Sequence, residues 1–151
     1  MIEQELWDAY CTTVVTFVDD NGQGFVVSPA DGVTGEWLGL GGAGEILIIS
    51  AANPYSELIS DEENLDLETR LKSQLSELGI RFHDCAGQSP DGQWVERSVM
   101  VFDAPLDVIK QLGAEYLQNA IFRWTPTAWE CVSLVSAQHF ISGWALDTAR
   151  I

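Results

Sequence analysis

Residues 46–52 read Ile-Leu-Ile-Ile-Ser-Ala-Ala, with no regular alternation of polar positions. A strand of this composition has no face to turn to water, so its sheet must be covered on both sides. A simple two-layer arrangement with one wet sheet face is thereby excluded. The purely apolar part, Ile46 to Ile49, is far too short to cross a bilayer.

The neighbouring segments are strongly patterned. Ser60–Leu78 is expected as an amphipathic helix with Leu67, Leu71, Leu75 and Leu78 on one face and Gly79 as its stop. Ile80–Ala86 alternates as a strand, Ser89-Pro90-Asp91-Gly92 is a turn, and Glu96–Phe102 is another strand. Pro105 opens a second helix whose Ile109, Leu112, Gly113 and Tyr116 face inward. Ala120–Trp124 and Trp129–Val135 are strands around the turn Thr125-Pro126-Thr127. Upstream, Glu3–Tyr10 suits a short helix, and Thr12–Val18 with Gln23–Ser28 suits a hairpin about Asp19-Asp20-Asn21-Gly22. In the glycine-rich stretch 29–44, short pieces near Val33 and Trp37 are expected at a sheet edge. Gly39–Gly44 is no phosphate loop, since it precedes a strand and lacks the Gly-Lys-Ser/Thr ending. In the tail, 137–151, Phe140, Ile141 and Trp144 suggest a short packing helix.

The order over 45–125 is therefore β-α-β-β-α-β, the split βαβ arrangement of ferredoxin-like folds. The expectation is an α/β (α+β) sandwich of that type in a single domain, 1–151. The helix and hairpin of 1–44 would widen or cover the sheet, and 126–151 would add a strand and tail.

Charge narrows the partners. The 151 residues carry 23 acidic and 7 basic side chains, a formal net charge of −16, and no Lys or Arg precedes Arg70. Such a chain repels a phosphate backbone, so nucleic acid is not an expected partner. A basic protein partner, high-salt adaptation or solubility alone all fit the acidity. No basic region followed by an apolar segment opens the chain, so no secretory signal or membrane partner is expected. The three cysteines, Cys11, Cys85 and Cys131, are widely spaced and odd in number, as in reduced thiols of a cytoplasmic protein. The oligomeric state is not legible.

The β-α-β-β-α-β order also predicts where polar residues meet. With the end reached at Asn53 taken as the top, the first helix starts there and the Gly87–Val95 hairpin returns there. The second helix leaves there through Gln118-Asn119. Asn53–Ser56, Ser60–Asn64, Gly87–Glu96 and Tyr116–Asn119 are thus expected together.

These segments carry a resemblance. Ala52-Asn53-Pro54 with Ser56, then Glu63-Asn64, Gly87, Pro90-Asp91-Gly92, Trp94, Glu96, Ser98 and Gln118-Asn119-Ala120-Ile121 resemble the bacterial family called domain of unknown function 3293. The likeness runs over about residues 45–125. Trp7-Asp8-Ala9-Tyr10 is similar to that family's opening. Ala52 departs from the larger side chain frequent at that position. The resemblance implies a motif set and no activity.

Each candidate has a structural alternative. Ser60 and Glu63 have the spacing of a capping box, which suffices to explain both. Asn64 is not explained by capping; Asn53 and Asn64 are paired amides that would bind a ligand or each other. Glu96 is either a strand-end acid or, with Glu63, a carboxylate pair in which one member serves as general acid. Trp94 is a pocket wall or hairpin cover, and Gln118 and Asn119 are a helix end or ligand contacts. His83 and Cys85 share a strand face without metal-ligand company, so no metal and no cofactor are expected. The leading reading is a binding module for a small polar ligand or partner segment, using Asn53, Glu63, Asn64, Trp94, Glu96, Gln118 and Asn119. A hydrolase or transferase using Glu63 and Glu96, and an acidic inhibitor or immunity-type protein docking a basic partner, are the alternatives.

Overall fold

The computed structural model of the protein describes residues 1–150. Helix α1 (Gln4–Thr12) leads into β1 (Val14–Val18), β2 (Gly24–Ala30), the two-residue β3 (Val33–Thr34) and β4 (Ile46–Ile49). Helix α2 (Asp61–Glu77), β5 (Phe82–Gln88), β6 (Val95–Phe102) and helix α3 (Leu106–Glu115) follow. The chain finishes with β7 (Ala120–Thr125), β8 (Ala128–Ser133) and β9 (His139–Ala149).

Eight of the strands close into an antiparallel barrel in the order β2-β1-β5-β6-β4-β7-β8-β9, with β9 returning to pair β2 from Gly143–Ala30 to Ala149–Gly24. Strand β3 lies parallel beside β9. The ferredoxin-like sandwich expected from the sequence is therefore wrong. The strands β5-β6-β4-β7 do lie side by side, but neither outer strand is an edge: β5 pairs β1 and β7 pairs β8. Closure removes the exposed edges that an open sheet must protect.

Strand β4 shows why. Ile46 and Ile48 point into the barrel with Val15, Met100, Phe122 and Trp124, while Leu47 and Ile49 pack outward under Leu71, Leu75, Ile109 and Leu112 of α2 and α3. Both faces are dry, as the apolar run requires, but one is covered by the opposite wall of the barrel.

The tail is a second correction. Residues 139–149 form the strand that closes the barrel, not a packing helix. Phe140, Trp144 and Leu146 join the interior cluster while Ile141 is 60% exposed, the two-residue period of a strand. Of the two pieces expected at an edge, Val33 pairs β9, whereas Trp37 plugs the barrel. Its ring meets Trp124 edge-on at 5.1 Å, and its Nε1 donates to the Ala43 carbonyl at 3.0 Å. That end, where β7 turns into β8, is the bottom.

At the top, α1 lies across the opening. Ile2 and Trp7 enter the interior cluster, and Gln138, just before β9, exchanges hydrogen bonds with the Ile2 backbone. Among the described residues, no helix is long and apolar enough to cross a membrane.

Candidate functional site

The strands meeting at the top change character along their inward positions. On β4 and its exit the series is Ile46, Ile48, Ser50; on β6, read backwards, it is Phe102, Met100, Ser98, Glu96. The barrel is aromatic at the bottom and polar at its mouth.

The segments expected to meet at this end do so. Asn53 adopts the left-handed region with φ 46°, followed by Tyr55 at 53° and Ser56 at 62°; Leu117 across from them has φ 55°. Four of the five non-glycine residues with positive φ are thus gathered here. Each costs on the order of 1–2 kcal/mol and persists only where surrounding bonds enforce it. The enforcing bonds are visible. The Tyr55 backbone N–H donates to the Leu117 carbonyl at 2.7 Å, and the side-chain Nε2 of Gln118 donates to the Ala52 carbonyl at 3.0 Å.

Asn53 and Asn64 bind each other. The Asn53 backbone N–H donates to Asn64 Oδ1 at 2.8 Å, and Asn64 Nδ2 donates to Asn53 Oδ1 at 2.9 Å. Asn53 Oδ1 also accepts from the Ile59 amide. Asn119 Nδ2 donates to Ser56 Oγ at 3.3 Å, and its carbonyl accepts from the Leu134 amide. These amides hold the strained loop.

Glu63 stays with its helix. Ser60 Oγ accepts from the Glu63 amide at 3.1 Å while Glu63 Oε1 accepts from the Ser60 amide at 3.4 Å, a complete capping box. Glu63 is exposed and lines none of the clefts that Glu96 lines. The structure does not bring the two carboxylates together.

Glu96 is differently placed. Arg97 turns outward to Glu68 at 3.0 Å, and the alternation of β6 turns Glu96 into the mouth. Its Oε1 accepts from Ser50 Oγ at 3.0 Å and its Oε2 from Trp94 Nε1 at 3.3 Å. Burial raises its carboxyl above the ordinary value, and these two bonds offset part of the rise. Ser50 also reaches the Arg97 carbonyl at 2.9 Å but has one proton to give. With Glu96 ionised the hydroxyl donates to it; with Glu96 protonated, the acid donates to Ser50 Oγ and the hydroxyl turns to Arg97. Both protonation states are satisfied.

Trp94 is carried by the β5–β6 hairpin. Ser89 and Trp94 exchange bonds through the Ser89 amide and hydroxyl, and Asp91 accepts from Ser89 Oγ and the Gln93 amide. Those donors hold the Asp91 carboxyl below its usual range. Opposite stands Tyr10 of α1, whose hydroxyl bonds Ser56 Oγ at 2.7 Å. Burial, followed by smaller opposing effects of the Ser56 and Asn119 bonds, raises the Tyr10 hydroxyl, and nearby Glu96 adds to the rise.

Glu96 lines three clefts, of about 420, 290 and 70 Å³. The first opens toward Asn53, Asn64 and Glu68; the smallest is the inner end of the barrel mouth, with Ser50, Ser98 and Gln118. The second runs between Tyr10 and Trp94. Tyr10 and Ser50 are not among the site residues expected from the sequence, although Tyr10 ends the Trp7–Tyr10 motif. Ser50 was legible as a polar residue in the inward register of Ile46 and Ile48. Nothing local signalled that α1 would bring Tyr10 there.

Cys85 is buried, and burial pushes its thiol strongly up, so it is a poor nucleophile. His83 is engaged through Nε2 with the Val18 carbonyl. Among the described residues, no group of three or more His, Cys, Asp or Glu is placed to hold a metal ion.

Residues 49–121 match the model of a family described as protein of unknown function (DUF3293). The resemblance drawn from the sequence motifs is thus shown over that span, which includes Ser50, Asn53, Asn64, Trp94, Glu96, Ser98, Gln118 and Asn119 but not Tyr10 or Thr13. No curated protein and no solved structure matches the chain.

Proposed function

We propose that the protein is a binding module whose ligand site is the mouth of the barrel, between α1 and the β5–β6 hairpin. The observation that carries this reading is Glu96, a half-buried carboxylate at the junction of three clefts with two neutral donors as its partners. A carboxylate removed from water without a cation is costly, and such groups gather where a ligand completes them. The strained loop at 53–56 and 117 supports the same reading, because its bonds fix the rim rigidly. The cleft between Tyr10 and Trp94, about 290 Å³, is the size for a small molecule.

An enzyme built on Glu63 and Glu96 draws no support from this geometry, since Glu63 is committed to its cap. Gln118 Nε2 is spent on the Ala52 and Tyr116 carbonyls, while Asn53 and Asn64 bind each other and line the 420 Å³ cleft.

The test is a small-molecule screen by ligand-observed NMR on wild type and on Ala9→Trp. Ala9 is exposed on α1 and lines the cleft, so an indole there fills it and removes no existing side chain. Hits lost in Ala9→Trp at unchanged melting temperature support the reading. A screen without hits, or hits indifferent to the substitution, refutes it.

A further inference from the structure

We infer that the barrel mouth takes a small organic cation bearing N–H groups, an alkylammonium or guanidinium, with its charge on Glu96 and its carbon chain between Tyr10 and Trp94. This rests on the mouth being the ligand site and adds the chemistry of the ligand.

The first argument is charge. Among the described residues no ion pair involves Glu96: Lys72 serves Asp84 and Glu68, Arg97 serves Glu68, and Arg123 serves Glu45 and Glu130. A carboxylate offers about four lone-pair positions. Ser50 and Trp94 fill two acceptor positions here, one on each oxygen, so each oxygen keeps room for a donor. An N–H cation supplies both missing things, a donor and a positive charge.

The second argument is the wall. Leu6, Ala9, Tyr10 and Trp94 give the cleft an apolar and aromatic lining, and its other polar residues are the neutral Thr13, Ser56 and Ser89. No Lys, Arg or His lines it, so a phosphate or carboxylate ligand would meet Glu96 with no compensating charge. Aromatic walls attract cations through the ring quadrupole, and the indole of Trp94 is the best of them. The net charge of −16 raises the local concentration of cations at the surface.

The third argument separates cations from one another. A quaternary ammonium gains from the rings but cannot donate to the carboxylate, whereas the open acceptor positions of Glu96 select ions that can.

The experiment follows the six indole N–H resonances by two-dimensional NMR during titration with four probes: n-butylammonium, n-butylguanidinium, n-butyltrimethylammonium and neutral n-pentanol. The ammonium and guanidinium should bind about tenfold or more tightly than pentanol and the quaternary ion, the worth of one charge-assisted hydrogen bond. Glu96→Gln should weaken the two N–H cations by about tenfold to a hundredfold and leave pentanol unchanged. Its melting temperature establishes that it is folded. Pentanol binding as tightly as butylammonium, or Glu96→Gln weakening neither cation, overturns the cation assignment while the mouth stands as a site. Binding of all probes undiminished in Ala9→Trp overturns the site itself, and no binding by any probe overturns both.

Discussion

Barrel closure by β9 is tested through Trp144. Its side chain is fully buried, meets Trp124 edge-on at 5.5 Å, lies 6.3 Å from Trp37, and donates from Nε1 to the Thr125 carbonyl at 2.9 Å. Trp144→Phe keeps an aromatic ring in the strand but removes the N–H and part of the indole. The unpaired Thr125 carbonyl costs about 1 kcal/mol. The lost burial and the residual cavity add about 1–2 kcal/mol, and the weakened edge contact with Trp124 adds about 0.5 kcal/mol. The expected destabilisation is therefore about 3 kcal/mol, measured by urea denaturation at unchanged m-value. Hydrogen exchange supplies the second readout. In a closed barrel the paired amides of β2 and β9 open only with the whole fold, so the substitution should lower their protection as much as that of β6. A loss below about 0.5 kcal/mol, with rapidly exchanging β9 amides in wild type, would refute closure.

Three further outcomes follow from named contacts. Burial raises Glu96 in the folded state above its ordinary 4.5, so the folded protein holds that proton more tightly and loses stability as pH rises from there through the raised value. Glu96→Gln should match wild type at acid pH and exceed it at neutral pH; stability curves that stay parallel across that range would refute the assignment. Asn64→Ala removes both bonds to Asn53 and leaves a buried amide unpaired, at about 2–3 kcal/mol by urea titration. Unchanged stability would mean the amide pair does not hold the loop. A Cβ at Gly143 would stand 2.1 Å from the Gly32 carbonyl oxygen, so Gly143→Ala should cost about 1–3 kcal/mol in thermal melts. Gly32→Ala, with open space around it, is the control and should be nearly neutral.

What the sequence made legible was local. The inward Leu67, Leu71 and Leu75 of α2, the Ser60–Glu63 cap and the dry faces of β4 are consequences of short-range pattern, and they are in the structure, whereas Leu78, expected on the same helix face, is exposed beyond the helix end. Closure was not legible because it depends on which partner each outer strand finds. An open sheet over 45–125 and a barrel share the same alternation in β5 and β7 and differ only in whether β1 and β8 lie beside them. The tail misled for a definite reason. Phe140, Ile141 and Trp144 fit one turn of helix, yet the matching run of Phe140, Trp144 and Leu146 on one strand face is what buries. At the mouth, topology placed the segments, but the division of labour among their polar groups needed bond partners. Asn53 and Asn64, eleven positions apart, were expected to bind a ligand or each other, and the bonds between them are of the second kind.

The two ends of the barrel are closed by different sets of side chains. At the bottom, Trp37 lies among Trp124 and Trp144 with its N–H satisfied by the Ala43 carbonyl, so opening that end means exposing a large ring. At the top, α1 is held by the buried Ile2 and Trp7 and is also tied by the Gln138 bonds and the Tyr10–Ser56 bond, of which the polar ties are contacts that water can replace. The inward residues beneath it, Ser50, Ser98 and Glu96, are polar and line the smallest cleft. An aromatic seal below and a polar rim above follow from the same alternating strands. Glu96 belongs to the polar end, where it meets Ser50 and Trp94.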